Sequence, residues 1–241
     1  MKNLLTHISP SKEFYNEEHK QMVKIQIDNS LSLGWKKEDI LLVTNFNYEY
    51  NGVKSIVIGD YNYCAHHPPA TKIYVIDYLF RTGLVGKDIY WYHDFDCFQL
   101  NPFIDAEPDL GSADVGLTNY GRMPRLCSAS IFFKESAKDI LERWKDEIDK
   151  TKTNEERGII RIVNGNIDNL GERIKLLNIT YAFHRFNLRS CYKIVDKPIR
   201  AAHFHLTPDK YDFYVRGNNK LNMVLIPDRL IKIFRKHGFK E

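Results

Sequence analysis

The chain has 241 residues, 43% of them hydrophobic and 27% charged, with a formal net charge of +4 at pH 7. That length and apolar content support one sizeable core, and the absence of a long single-sign charge block excludes wholesale disorder. The mild basic balance permits an anionic ligand but falls short of a nucleic-acid footprint, and the four scattered cysteines contain no Cys-x-x-Cys pair, which argues against a zinc ribbon or thioredoxin-type motif.

The N-terminus, Met1 to His7, is too poor in apolar residues for a signal sequence, and no run approaches membrane-spanning length. A reduced, cytoplasmic protein is therefore expected. Asn3 to Ile8 reads as a first strand, broken by Ser9-Pro10-Ser11. Phe14 to Leu33 reads as a helix closed by Gly34. Asp39 to Asn45 is a continuous apolar run suited to a buried parallel strand, and Val53 to Ile58 is another strand. This β-α-β-β order suits the nucleotide-binding half of an α/β enzyme. His66-His67-Pro68-Pro69 reads as a plain loop, and Ala70 to Phe80 as a helix ending near Gly83.

Asp88 to Phe98 is an apolar, aromatic strand that ends in Asp94 and Asp96, with a turn at Leu100 to Phe103 and a loop to Ser112. Asp114 to Thr118 is a short strand, Asn119 to Arg125 a loop, and Cys127 to Phe133 a buried strand opened by small residues. Ser136 to Lys150 is a helix with Ile140, Leu141, Trp144 and Ile148 on one face. Thr153-Asn154-Glu155-Glu156 resembles a capping box opening a helix through Val163. Lys175 to Phe186 holds a strand, and Ile199 to Lys210 is a strand breaking into a loop. After a polar turn at Arg216 to Asn219, a basic amphipathic helix starts near Pro227 and packs its apolar stripe on the core. Residues 1–210 are thus expected to form one unit and 211–241 a C-terminal appendage.

Asp94 and Asp96 form the chain's only Asp-x-Asp, at the C-terminal end of a strand, where α/β sheets bind ligands. If the strand persists, both carboxylates point to one side, and unpaired carboxylates there call for a cation such as magnesium or manganese. His203 and His205 make a second i, i+2 pair, and a neutral imidazole can complete a manganese-like coordination sphere. Lys210 follows, where an ammonium can meet a phosphate. Arg122 and Arg125 would add positive charge. Glu155 and Glu156 are the candidate bases if the reaction inverts configuration; as plain structure they are acids favoured at a helix N-terminus.

In order, these motifs resemble a GT-A type glycosyltransferase, nearest to the glycogenin-like retaining branch, over about residues 3 to 210. Thr71-Lys72 opens the helix before the motif strand, and Asp94-Phe95-Asp96 stands for the metal motif. Ser128-Ala129-Ser130-Ile131-Phe132 looks like the small-residue strand beside the donor sugar. Glu156-Arg157-Gly158-Ile159-Ile160 is similar to the helix start whose acid touches that sugar. His203-Phe204 and Lys210 match the late His…Lys element, without its usual Gly and Pro-Trp.

The resemblance implies a single α/β domain related to the Rossmann fold, with a central mixed, mostly parallel sheet flanked by helices. It implies Mn2+ or Mg2+ on Asp94, Asp96, His203 and His205. It also implies a nucleoside-diphosphate sugar, a uridine diphosphate sugar first among them, held by Ile8, Ser9, Lys72, Asp94, Ser128, Ser130 and Lys210. The acceptor would be a glycan, a protein or a small molecule. Nucleotidyl transfer at the same metal site is the competing reading, although Ser9-Pro10-Ser11-Lys12 is not the Gly-rich basic loop it normally uses. Modified DNA as acceptor and peripheral membrane contact by the C-terminal helix are allowed by the charge, with no recognition motif for either.

Overall fold

A computed structural model of the chain describes residues 1–11, 17–102, 110–121, 126–184, 191–204 and 226–239. Its centre is an eight-stranded sheet built from β1 (Lys2–His7), β2 (Ile40–Thr44), β3 (Glu49–Tyr50), β4 (Val53–Val57), β5 (Tyr90–His93), β7 (Val115–Asn119), β8 (Leu126–Phe133) and β9 (Ile174–Leu176). The spatial order is β3-β4-β2-β1-β5-β8-β7-β9. The β4–β2, β2–β1, β1–β5 and β7–β9 neighbours are parallel and the remainder antiparallel, so the sheet is mixed and mostly parallel, as expected.

Helices cover both faces, which explains why the central strands are nearly continuous apolar runs. Successive residues of a strand serve opposite faces. Leu4, Tyr92, Ile131 and Phe133 pack with α2 (Thr71–Arg81), α3 (Lys138–Thr151) and α4 (Glu155–Gly165). Leu5, Leu42, Trp91 and Phe132 pack with Val23 and Ile27 of α1 (Glu17–Ser32). The predicted stripe of α3, from Ile140 to Ile148, is buried.

Four local expectations change. The two-residue strand β3 was not anticipated. Asn51-Gly52 joins it to β4 with φ of 51° and 79°, the pair of positive angles that a tight hairpin turn demands and that Asn-Gly supplies. The cap of α4 is Asn154, whose side chain accepts from the Arg157 amide; Thr153 lies one residue early. The single strand expected between Lys175 and Phe186 divides into β9 and β10 (Phe183–His184). Finally, the stretch after Asp96 is a strand, β6 (Cys97–Gln99), and it starts a second sheet of order β10-β11-β6 with β11 (Ala201–His203).

That small sheet has its own apolar cluster, with Phe98, Phe183, Phe204, Leu230 and Phe234. The last two belong to α5 (Asp228–Lys236), which follows Pro227 as expected and buries its apolar stripe. Arg229 reaches Asn29, Ser32 and the Leu100 carbonyl. Buried Asp28 on α1 accepts from Lys236 Nζ at 2.6 Å, Tyr50 OH at 3.1 Å and Asn51 Nδ2 at 2.6 Å, with His237 Nε2 at 2.8 Å. One carboxylate thereby joins α1, the β3–β4 hairpin and the C-terminal helix. The polar turn at 216–219 lies outside the described residues. The four cysteines are buried and form no disulfide, and among the described residues no helix is long and apolar enough to cross a membrane.

Burial alone would raise the Asp28 pKa, but the hydrogen bonds from Lys236 and His237 outweigh it and hold the carboxyl below its ordinary value. A depressed carboxylate stabilises above its unfolded pKa of about 3.9 and loses that contribution as pH falls through the folded value. Asp28→Asn is expected to lower stability by about 1–3 kcal/mol at pH 7. Urea titrations should show the gap to wild type closing as pH falls below about 4.

Candidate active site

Strand β5 is fully buried and its regular pairing ends at His93. The chain then turns: the Cys97 amide donates to the Asp94 carbonyl at 2.9 Å, and the Asp94 amide donates to the Ala129 carbonyl at 2.9 Å. Asp94 and Asp96 thus sit on a turn, not on a continuing strand, and the alternation argument does not align their side chains. What brings them together with a third group is β11. His203 pairs with Cys97 across the small sheet, and the Phe204 amide donates to the Asp96 carbonyl at 3.0 Å. One ligand atom from each of Asp94, Asp96 and His203 falls within 4.8 Å of the others.

Two carboxylates and an imidazole form a hard oxygen set with one borderline nitrogen, which fits manganese or magnesium. His203 Nε2 lies 3.1 Å from Asp96 Oδ1. Burial works to lower the His203 pKa, but Asp96 overrides it and pushes the imidazole up to about 10. A cation on this cluster would need the imidazole in its neutral form and would displace that proton. His205 and Lys210, the other late candidates, lie outside the described residues, as do Arg122 and Arg125.

Lys72 enters from the first turn of α2, only 4% exposed. Its Nζ lies 2.7 and 2.9 Å from the two Asp94 oxygens, 3.3 Å from the Ser128 carbonyl and 3.7 Å from Glu155 Oε1. Burial opposes the charge, yet Asp94 and Glu155 more than offset it and raise the Lys72 pKa above the usual lysine value. Tyr92, two residues before Asp94, donates its hydroxyl to Asp94 Oδ1 at 2.6 Å. Glu155 receives the Ser128 hydroxyl at 2.9 Å, and its other oxygen is 3.1 Å from His67 Nε2.

Ser128 and Ser130 do not act together. The pairing of β7 with β8 shifts between Leu117, opposite Ile131, and Thr118, opposite Cys127. The intervening bulge breaks the two-residue alternation, and bulges re-aim side chains in this way. Ser128 consequently faces Lys72 and Glu155, while buried Ser130 accepts from Trp91 Nε1 at 2.8 Å. Ser130 thus braces a core tryptophan.

Beside Lys72 and Asp94 opens a cavity of about 300 Å³, lined also by Thr6, His7, Ile8, Tyr63, Pro68 and Phe95. It lies at the C-terminal ends of parallel strands β1 and β5, the usual ligand position in such sheets. Ile8 is part of its lining. Ser9 instead has its amide and carbonyl tied to the Asn45 side chain at 3.1 and 3.0 Å. Burial lowers the His7 pKa to about 4, with His19 adding to the effect, so the ring facing the cavity is neutral.

Glu155 and Glu156 occupy the first turn of α4 and are both buried. Glu156 Oε1 accepts the Tyr120 hydroxyl. Sequence reasoning missed His67, Tyr92 and Tyr120. Only Tyr92 carried a signal, its two-residue spacing from Asp94; the other two come to the site from loops that nothing in the primary structure links to α4.

No protein-family model and no curated protein matches the chain. Its fold does match solved structures. The galactosyltransferase LgtC in complex with donor and acceptor sugar analogues superposes with a TM-score of 0.61 at 10% identity, over 98% of this chain and all of that one. The glycosyltransferase GlyE of Streptococcus pneumoniae TIGR4 gives 0.59 at 12% identity, over 98% of this chain and 64% of that one. A glycosyltransferase involved in glycosylation of the PBCV-1 major capsid gives 0.54 at 11%, over 86% and 94%. At these identities the likeness is one of fold, and that fold is the GT-A type that the motif order implied.

Replacing Lys72 by Met leaves buried Glu155 and half-buried Asp94 without their shared cation. A loss of about 3–5 kcal/mol is expected in urea unfolding. Adding Asp94→Asn should recover part of it, because one of the unpaired charges is removed.

Proposed function

We propose that the protein is a metal-dependent glycosyltransferase that moves a sugar from a nucleoside-diphosphate sugar to a glycan, protein or small-molecule acceptor. The observation that carries this reading is the Asp94–Asp96–His203 cluster beside Lys72, whose Asp94 lines a cavity at the strand ends. The neighbours' fold supports it, and LgtC holds donor and acceptor sugar analogues. The motif order favours kinship with the glycogenin-like retaining branch, and a uridine diphosphate sugar is the first donor to test.

Sugar transfer breaks the bond between the anomeric carbon and the diphosphate oxygen, and its electron pair leaves on the diphosphate. A divalent cation on Asp94, Asp96 and His203 would supply the positive charge that stabilises this leaving group. Lys72 adds fixed positive charge at the same edge, with Tyr92 and Ser128 holding its surroundings in place. Asp94 and Asp96 are ligands in this scheme and attack nothing. The acceptor hydroxyl forms the new bond to the anomeric carbon and gives up its proton, for which Glu156 is the candidate recipient if configuration is inverted. Glu155, already engaged by Ser128, Lys72 and His67, serves to orient Lys72.

The test is a panel of nucleotide sugars and nucleoside triphosphates, assayed for hydrolysis and thermal shift with and without Mn2+. One nucleotide sugar should raise the melting temperature by a few degrees only when metal is present. Asp96→Ala should abolish that response while leaving the unliganded melt close to wild type. Stabilisation by triphosphates alone would instead support nucleotidyl transfer, and unchanged turnover in Asp96→Ala would remove the metal assignment.

A further inference from the structure

Tyr120 lies in the loop after β7, outside the group of residues that contact the cavity, yet it is held by specific contacts on both sides. The Asn119 side chain accepts from the Gly121 amide at 2.7 Å, which closes a tight turn around Tyr120. Gly121 has φ of +72°, and a Cβ there would stand 2.5 Å from Cys191 Sγ. Only glycine satisfies both conditions, so the turn after Tyr120 depends on it.

The opposite partner is equally constrained. Helix α4 is capped by Asn154, and Trp144 Nε1 donates to the Glu155 carbonyl at 2.7 Å. Gly158 lets α4 approach α3 so closely that an added Cβ would lie 3.1 Å from Ile148 and 3.2 Å from Trp144. Two independently braced segments thus aim a phenol at the Glu156 carboxylate. Burial, with Cys127 and Glu156 nearby, raises the Tyr120 pKa above its ordinary value, so the phenol remains a donor.

The ring of Tyr120 has a second set of contacts. It meets His184 edge to face at 5.1 Å, and His184 meets His203 in the same way at 5.1 Å. His203 in turn touches Asp96. A continuous run of packed side chains therefore joins the acid at the start of α4 to the metal cluster.

We propose that Tyr120 is a positioning residue: its hydroxyl sets the orientation of the Glu156 carboxylate, and its ring, packed through His184 on His203, holds that orientation in register with the metal ligands. This rests on the transferase reading in its inverting form, in which Glu156 receives the proton of the acceptor, or of water in donor hydrolysis. A carboxylate held in one orientation meets the incoming hydroxyl without reorganising first, and that benefit appears in turnover more than in donor binding.

The experiment has a kinetic arm and a structural arm, both on the full chain. Donor hydrolysis with Mn2+ is measured for wild type, Tyr120→Phe, Glu156→Gln and the double variant, using the nucleotide sugar that gives turnover in wild type. Tyr120→Phe should lower kcat by about 10- to 100-fold while KM for the donor stays within about two-fold. The double variant should be no slower than Glu156→Gln, because the hydroxyl acts through that carboxylate. Multiplicative losses, or an effect confined to KM, overturn the proposal. A crystal structure of Tyr120→Phe provides the second arm: the Glu156 carboxylate should rotate away or take two orientations, and a carboxylate unmoved within about 0.5 Å overturns it as well. If wild type hydrolyses no nucleotide sugar, the transferase reading fails, and the structural arm still decides whether Tyr120 positions Glu156.

Discussion

Like charges do not gather at the end of a buried strand without something to hold them. Asp94, Asp96 and Glu155 converge here, and Lys72 stands between two of them with its ammonium almost wholly removed from water. An isolated lysine in that position would shed its proton; this one is pushed the other way by its carboxylate neighbours. The remaining charge, around Asp96, draws His203. Much of the local architecture can be understood as the means of keeping these groups close and oriented.

Two departures from regular strand geometry do most of that work. The turn at Asp94–Cys97 reverses the chain into β6, and β6 recruits β11, so that a histidine more than a hundred residues away arrives beside the acid pair. The bulge in β8 separates two serines that strict alternation would have placed together. Ser128 is thereby free to approach Lys72, and Ser130 supports Trp91. Each irregularity breaks the ladder locally, and each lies next to the candidate ligands, where a bend that re-aims a side chain is of use.

The small sheet needs its own support because three short strands bury too little surface alone. That support comes from the far end of the chain. Helix α5 packs Leu230 and Phe234 against Phe98, and the Asp28 and Arg229 contacts fasten it to α1. The C-terminal helix, which by composition resembles a membrane-surface element, thus presents its apolar stripe to the sheet that carries His203.

The primary structure by itself determined the strands β1, β2, β5 and β8, because each is an apolar run bounded by turn residues. It also determined the helices α1 to α5, whose periodicity and flanking Gly, Pro and Asn are local signals. It set out Asp94, Asp96, Lys72 and His203 as candidates through residue type and order. It did not determine how they meet. Whether Asp94 and Asp96 lie on a strand or a turn, whether Ser130 joins Ser128, and whether His67 and Tyr120 reach α4 are decided by pairing partners distant in the chain. A bulge, a second sheet and an edge-to-face ring contact depend on which surfaces face each other, and no spacing along the chain encodes that. Tertiary packing alone turned a pair of aspartates into a cluster with a built electrostatic surround.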